Sequence, residues 1–242
     1  MNLKLPLTVA EAVSWLDEGH QVQIICEASP SPGDDSDADP GTAHFRRRSF
    51  AAVSGSSPVR VAAILAASFA GSCPNLLADM RCAIYDRRPL VCRIYPAEIN
   101  PSIELQPAEK SCPPEAWARD NPVLQRSGRI LSADLRGDIR KSRDTSAADV
   151  EVKRRVCMAL QVRDAARAGD GFVVYTPNID ALQSALAAAV AGSPDAPAPS
   201  AWRFVSDRPE SVKGLNDGGA AAVHVRDTVT MPYQYIGFRQ QA

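Results

Sequence analysis

Hydrophobic positions recur along this chain in two rhythms. Val9, Ala12, Val13 and Leu16 stand at helical spacing behind Thr8-Val-Ala-Glu11, a capping box with Thr8 as N-cap and Glu11 reaching back to its amide. Gly19 stops that helix. Over Gln21–Glu27 the period shortens to two, with Val22, Ile24 and Cys26 on one side, which predicts a half-buried strand and turns Cys26 inward. Val59–Ala67 is almost continuous Val, Ile, Leu and Ala, a pattern shared by buried strands and buried helices; we read it as a strand leading to Gly71. Ser132–Ser142 and Ala147–Ala166 predict two helices, the second with an apolar face of Val152, Val156, Ala159, Leu160 and Val162. Phe172–Tyr175 reads as a strand behind Gly171, and Asn178 caps a helix over Ile179–Val190 that turns Leu182 and Leu186 inward. Trp202–Val205, Ala222–Val225 and Tyr233–Phe238 are short strand candidates, and Gly214–Gly219 between them reads as a hairpin turn.

Polar punctuation separates these segments. Ala28–Thr42 is rich in Ser, Pro, Gly and Asp and reads as a loop; its Asp34, Asp35, Asp37 and Asp39 lack the ordered spacing and terminal Glu of an EF-hand. Arg46-Arg47-Arg48 reads as a solvated basic face. Gly192–Ser200 alternates Pro, Ala and Ser as a linker does. The expected architecture is α+β, with irregular Pro-rich cysteine loops packed on helices and a small sheet. Residues 1–190 would form the main domain, 191–200 a linker, and 201–242 a small β-rich appendage.

Composition narrows the function classes. At 242 residues with 45% hydrophobic content, the chain has the make-up of a soluble globular protein. A formal net charge of -1 gives no global field to recruit nucleic acid or an anionic membrane. Lys4, Glu11, Asp17 and Glu18 interrupt any signal-peptide core, and no apolar run reaches membrane-spanning length, so a cytoplasmic location is expected. No phosphate-binding glycine loop or Ser-His-Asp order is present. His20, His44 and His224 are isolated, and His44 in a loop would be exposed.

Chemistry concentrates in one stretch. Cys73, Cys82, Cys92 and Cys112 are spaced C-x8-C, C-x9-C and C-x19-C, with Pro74, Pro89, Pro96, Pro113 and Pro114 holding the backbone in turns. A short helix carrying Trp117 follows the last two prolines. In a reducing compartment, clustered thiols read as metal ligands rather than disulfides, and soft thiolates suit zinc or an iron–sulfur cluster. Tyr85, Arg87, Arg88 and Arg93 flank the cysteines, where cations and N–H donors lower thiol pKa and tune a cluster. The competing reading pairs the arginines with surface carboxylates, equally for Arg88. Cys26 and Cys157 read as core.

Cys82-x-Ile-Tyr-x-x-Arg-Pro-x-x-Cys92-Arg-x-Tyr-Pro96 resembles the signature of the YkgJ-like cysteine-cluster family, described as zinc- or iron-chelating proteins. The resemblance covers roughly Gly71 to Pro114 and implies Cys73, Cys82, Cys92 and Cys112 as the ligand candidates. Members of the family usually begin with a C-x-x-C-x-x-C-C cluster ahead of a Leu-Thr-x-x-Glu-Ala segment. Here Leu7-Thr8-Val-Ala-Glu11-Ala12 is present without cysteines before it, so either those ligands are lost or the natural start lies upstream. We expect the second, with Leu3–Pro6 as the tail of the missing cluster. Flagellin lysine-N-methylases carry a similar cluster.

Three functions follow as expectations. The first is a metal-chelating protein binding zinc or an iron–sulfur cluster, without catalysis of its own. The second is an iron–sulfur-dependent redox or protein-modifying enzyme of the flagellin-methylase type. The third is a module for an unidentified protein partner in which the cysteines are incidental.

Overall fold

A computed structural model describes residues 3–31, 39–192, 201–227 and 231–238. In chain order the regular elements are β1 (Leu3–Leu7), α1 (Val9–Asp17), β2 (Val22–Pro30), α2 (Pro40–Arg47), β3 (Phe50–Ser54), β4 (Ser57–Phe69) and α3 (Leu90–Ile94). There follow β5 (Gln125–Arg126), β6 (Arg129–Ile130), α4 (Ala133–Ala148), α5 (Val150–Ala159), β7 (Asp164–Arg167) and β8 (Gly171–Tyr175). The last are α6 (Ile179–Val190), β9 (Arg203–Ser206), α7 (Pro209–Asp217), β10 (Ala222–His224) and β11 (Tyr233–Gly237). The fold is α+β, as the sequence predicts.

Nine of the strands form one mixed sheet, larger than the small sheet expected. The long strand β4 lies antiparallel to β2, and its opposite edge is shared by β1 and β3. β1 pairs with residues 65–69 of β4 and β3 with residues 57–61, so among the described residues Ala62–Ile64 have no strand beside them on that edge. On the other side β2 gives way to β7, β9 and β10, all parallel, while β8 and β11 add antiparallel strands. Val22, Ile24 and Cys26 do share the face that packs on the main core. The other face of β2 is buried as well, because Ile25 joins a second cluster with Ala66 and Val174, and Gln23 and Glu27 are covered by Lys4 and Arg48. β2 is therefore an interior strand rather than a half-buried one.

Three further expectations are corrected. The helix predicted through Ala166 ends at Ala159, because Gln161 takes a left-handed φ of 54° and the Val162 N–H returns to the Cys157 carbonyl at 2.8 Å. Residues Asp164–Arg167 are then free to form a strand, and Lys153 and Cys157, not Ala159, complete the buried stripe of α5. Gly214–Gly219 is not a hairpin turn: Pro209 opens helix α7, which runs through Gly214 and connects the parallel pair β9 and β10. Residues 201–238, expected as an appendage, supply strands to the common sheet and Trp202, Phe204, Val205 and Leu215 to its core. Gly55, at φ +57°, shows how closely the parts approach, since a Cβ there would stand 2.4 Å from the Gly219 carbonyl oxygen. Of the stretch Ala28–Thr42 read as a loop, residues 28–30 belong to β2 and residues 40–42 open α2, while residues 32–38 lie outside the described residues, as do residues 193–200 of the expected linker.

The stretch between β4 and α4 is built from turns, short 3-10 segments and α3. A small separate cluster of Leu90, Ile94, Ala97 and Ile139 packs α3 on α4. The N-terminal end of β1 pairs with Phe69, at the end of β4 from which the chain leaves toward Gly71 and Cys73.

Candidate metal centre

Cys73 and Cys82 are brought together by a loop that folds back on itself. The Leu76 N–H donates to the Cys73 carbonyl, Leu77 N–H to Arg81 O, and Ala83 N–H to Asn75 O, at 2.8 to 2.9 Å. Leu76 therefore faces Cys82 in an antiparallel bridge. Met80 supplies the reversal at φ 67°, and the Asp79 carboxylate fixes the turn by accepting from the Arg81 N–H and guanidinium. These bonds from Arg81 hold the Asp79 pKa below its ordinary value. Both cysteines are half-buried against the main core.

Cys92 reaches the same neighbourhood from α3. Pro89 precedes the helix, its carbonyl accepts the Cys92 N–H at 2.9 Å, and Leu90 and Ile94 face the α4 side. The orphan Leu90 N–H is taken by the Glu11 carboxylate at 2.8 Å, which fastens α3 to α1. Burial pushes the Cys92 thiol up to about 11, and negative charge on Cys73 and Cys82 adds to the effect. Arg88, stacked 4.0 Å over the Tyr85 ring, pulls it down, and Glu11 raises it. Cys73 and Cys82 are thus near enough for their charge to act on Cys92.

Cys112 stands on a different wall. The segment before it is tied to α3 by the Ser111 N–H donating to the Tyr95 hydroxyl at 2.7 Å and by the Lys110–Glu98 ion pair. The cysteine itself lines a cleft with Pro96, Leu105 and Trp117, the last in a 3-10 turn over Pro114–Trp117. Arg87 pairs with Glu18 at 2.8 Å and Arg93 with Asp138 at 2.7 Å, while Tyr85 is 61% exposed. Arg88 and Glu11 are therefore the charges that act on Cys92. The sequence marked Glu11 only as a helix cap, because its second partner, Leu90, is 79 residues away. His44 is half-buried on α2, not exposed in a loop. Cys26 and Cys157 are fully buried in the core.

Thiol donors suit a thiophilic ion, and Cys73 and Cys82 stand close enough to Cys92 for their charge to act on it. Among the described residues, however, no three or more His, Cys, Asp or Glu side chains are assembled as a ready ligand set. Among the same residues, no helix is long and apolar enough to cross a membrane.

The nearness of Cys73 and Cys82 to Cys92 agrees with the family model that the segment matches. Residues 39–113 match the model of the CxxCxxCC family, described as "Putative zinc- or iron-chelating domain". That stretch contains all four cysteines of the quartet, and the match agrees with the resemblance to the YkgJ-like cysteine-cluster family. No curated protein and no solved structure matches the chain.

Proposed function

We propose that the protein chelates zinc or iron, with Cys73, Cys82 and Cys92 as the thiolates that gather the ion and Cys112 as the fourth. The observation that carries this reading is that all four half-buried cysteines lie inside the segment matched by a chelating domain, with Cys73 and Cys82 near enough to Cys92 to raise its pKa. Charge that three thiolates would impose on one another is what a bound cation relieves. A tetrahedral thiolate site supplies folding energy to the loops that carry it, and these loops have little core of their own. Glu11 and Arg88, the latter one of the four flanking residues given this role from the sequence along with Tyr85, Arg87 and Arg93, tune the Cys92 sulfur from outside the ligand set.

The test is metal analysis and a visible spectrum of protein purified without oxygen, beside a Cys82→Ser/Cys92→Ser variant. About one equivalent of zinc, or coloured iron with sulfide, lost in the variant, is the expected result. Equal metal in both proteins, or none in either with folding intact, overturns the reading.

A further inference from the structure

The gap between β1 and β3 on the edge of β4 opens into a cavity of about 410 Å³, within the usual range for small-molecule sites. Ala63 and Ile64 line it where, among the described residues, the sheet edge has no partner strand, and its walls include Leu7, Leu90, Ile94, Ile103 and Phe172. Its charged groups are mostly spoken for. Glu27 pairs with Arg48 and Glu98 with Lys110, while Glu11 accepts the Thr8 and Leu90 N–H groups. His44, held down to about 4 by burial and by Arg48, Arg143 and Arg47, is neutral at pH 7.

Lys153 is the exception. It reaches the cavity from α5 and is only 5% exposed; its backbone N–H goes to the Asp149 carbonyl at 3.0 Å, but among the described residues its side chain has no hydrogen bond or ion pair. Burial holds its pKa below the ordinary lysine value, and Asp149, near enough to favour the charge, has its carboxylate accepting the Val9 N–H at 2.8 Å. A buried ammonium without a partner is costly, and an incoming anion would supply the missing one. Three carboxylates already line the walls, which disfavours a divalent head such as phosphate. One negative charge on an apolar body matches what remains.

We propose that this cavity binds a small amphipathic monocarboxylate, its carboxylate paired with the Lys153 ammonium and its apolar body laid along Ile64, Leu90 and Ile94. The site is independent of metal chelation by the cysteines, although α3 contributes to both.

The experiment titrates decanoate, with decan-1-ol as the uncharged control, into the full chain by calorimetry. Decanoate is expected to bind one per chain, and Lys153→Met to weaken it about tenfold or more while leaving decan-1-ol unchanged. Ile103→Trp, at the half-exposed rim, is expected to weaken both by filling the cavity. Equal decanoate affinity in wild type and Lys153→Met, no saturable binding by folded wild type, or indifference to Ile103→Trp overturns the proposal. Should Lys153→Met fail to fold, 13Cε-lysine spectra of the wild type decide: a Lys153 signal unmoved by decanoate refutes the pairing.

Discussion

One Glu11 carboxylate oxygen accepts the Thr8 N–H and closes the capping box of α1, while the other accepts the Leu90 N–H at 2.8 Å and caps the first turn of α3. A single side chain thus joins the N-terminal helix to the helix that carries Cys92. Glu11→Ala leaves both N–H groups without this acceptor and should cost about 1–3 kcal/mol in urea unfolding. It should also speed alkylation of Cys92, as α3 loosens and a negative neighbour of the thiol is lost. Unchanged stability and reactivity would mean that Leu90 and Ile94 hold α3 by packing alone.

The six cysteines divide into two populations. Cys26 and Cys157 lie side by side in the core, where their hydrogen bond and burial hold the Cys26 thiol well above its ordinary pKa. The quartet is only half-buried. Iodoacetamide applied to the native, metal-free protein should label Cys73, Cys82, Cys92 and Cys112 and spare Cys26 and Cys157, as peptide mass spectrometry would show. Labelling of Cys157 under native conditions would contradict the packing of α5 on β4.

Local chemistry was legible in the sequence wherever one segment carried its own signal. The Thr8 capping box, the Asn178 cap and the inward turn of Leu182 and Leu186 all need only neighbours in the chain. The meeting of Cys73 and Cys82 was foreshadowed by turn chemistry, but the approach of Cys92 depends on Glu11 reaching across to Leu90, which no spacing records. The end of α5 was missed because Gln161, not a glycine, takes the left-handed position. Helix α7 was missed because Gly214 and Gly218-Gly219 outweighed the start signal of Pro209. Parallel pairing of β9 with β7 and β10 is non-local and leaves no short-range mark.

His44 gives the fold an acid-sensitive element. Burial, then Arg48, Arg143 and Arg47, lower its folded pKa to about 4, against an unfolded value of about 6.5. The unfolded chain therefore binds the proton first as pH falls, so the neutral imidazole's contribution is complete above about 6.5 and drains away toward 4. Thermal melts of wild type and His44→Gln should run parallel above that window and converge or cross within it, with the wild type losing more. Parallel curves down to pH 4 would place His44 in solvent.

Asp170 gathers the elements that bind residues 201–238 to the rest of the sheet. Its carboxylate is fully buried, accepts the Ser206 hydroxyl at 2.6 Å, and lies 3.2 Å from the Arg167 and 3.4 Å from the Arg208 guanidinium. Its backbone carbonyl takes the Phe238 N–H at 2.8 Å, so β8, β9, α7 and β11 all meet at this residue. Asp170→Ala should destabilise the protein by on the order of 3 kcal/mol, because Ser206 and both guanidinium groups lose a shared buried acceptor. Asp170→Asn keeps an oxygen for Ser206 and should lose less. Ser206→Ala removes one charge-assisted bond and should cost about 1.5–3 kcal/mol, with an Asp170/Ser206 double-mutant cycle giving clear coupling. If the sheet is one cooperative unit, urea transitions followed at Trp15 and at Trp202 should shift together in every variant. Separate transitions would mean that β9 to β11 unfold independently of the cysteine-bearing part of the chain.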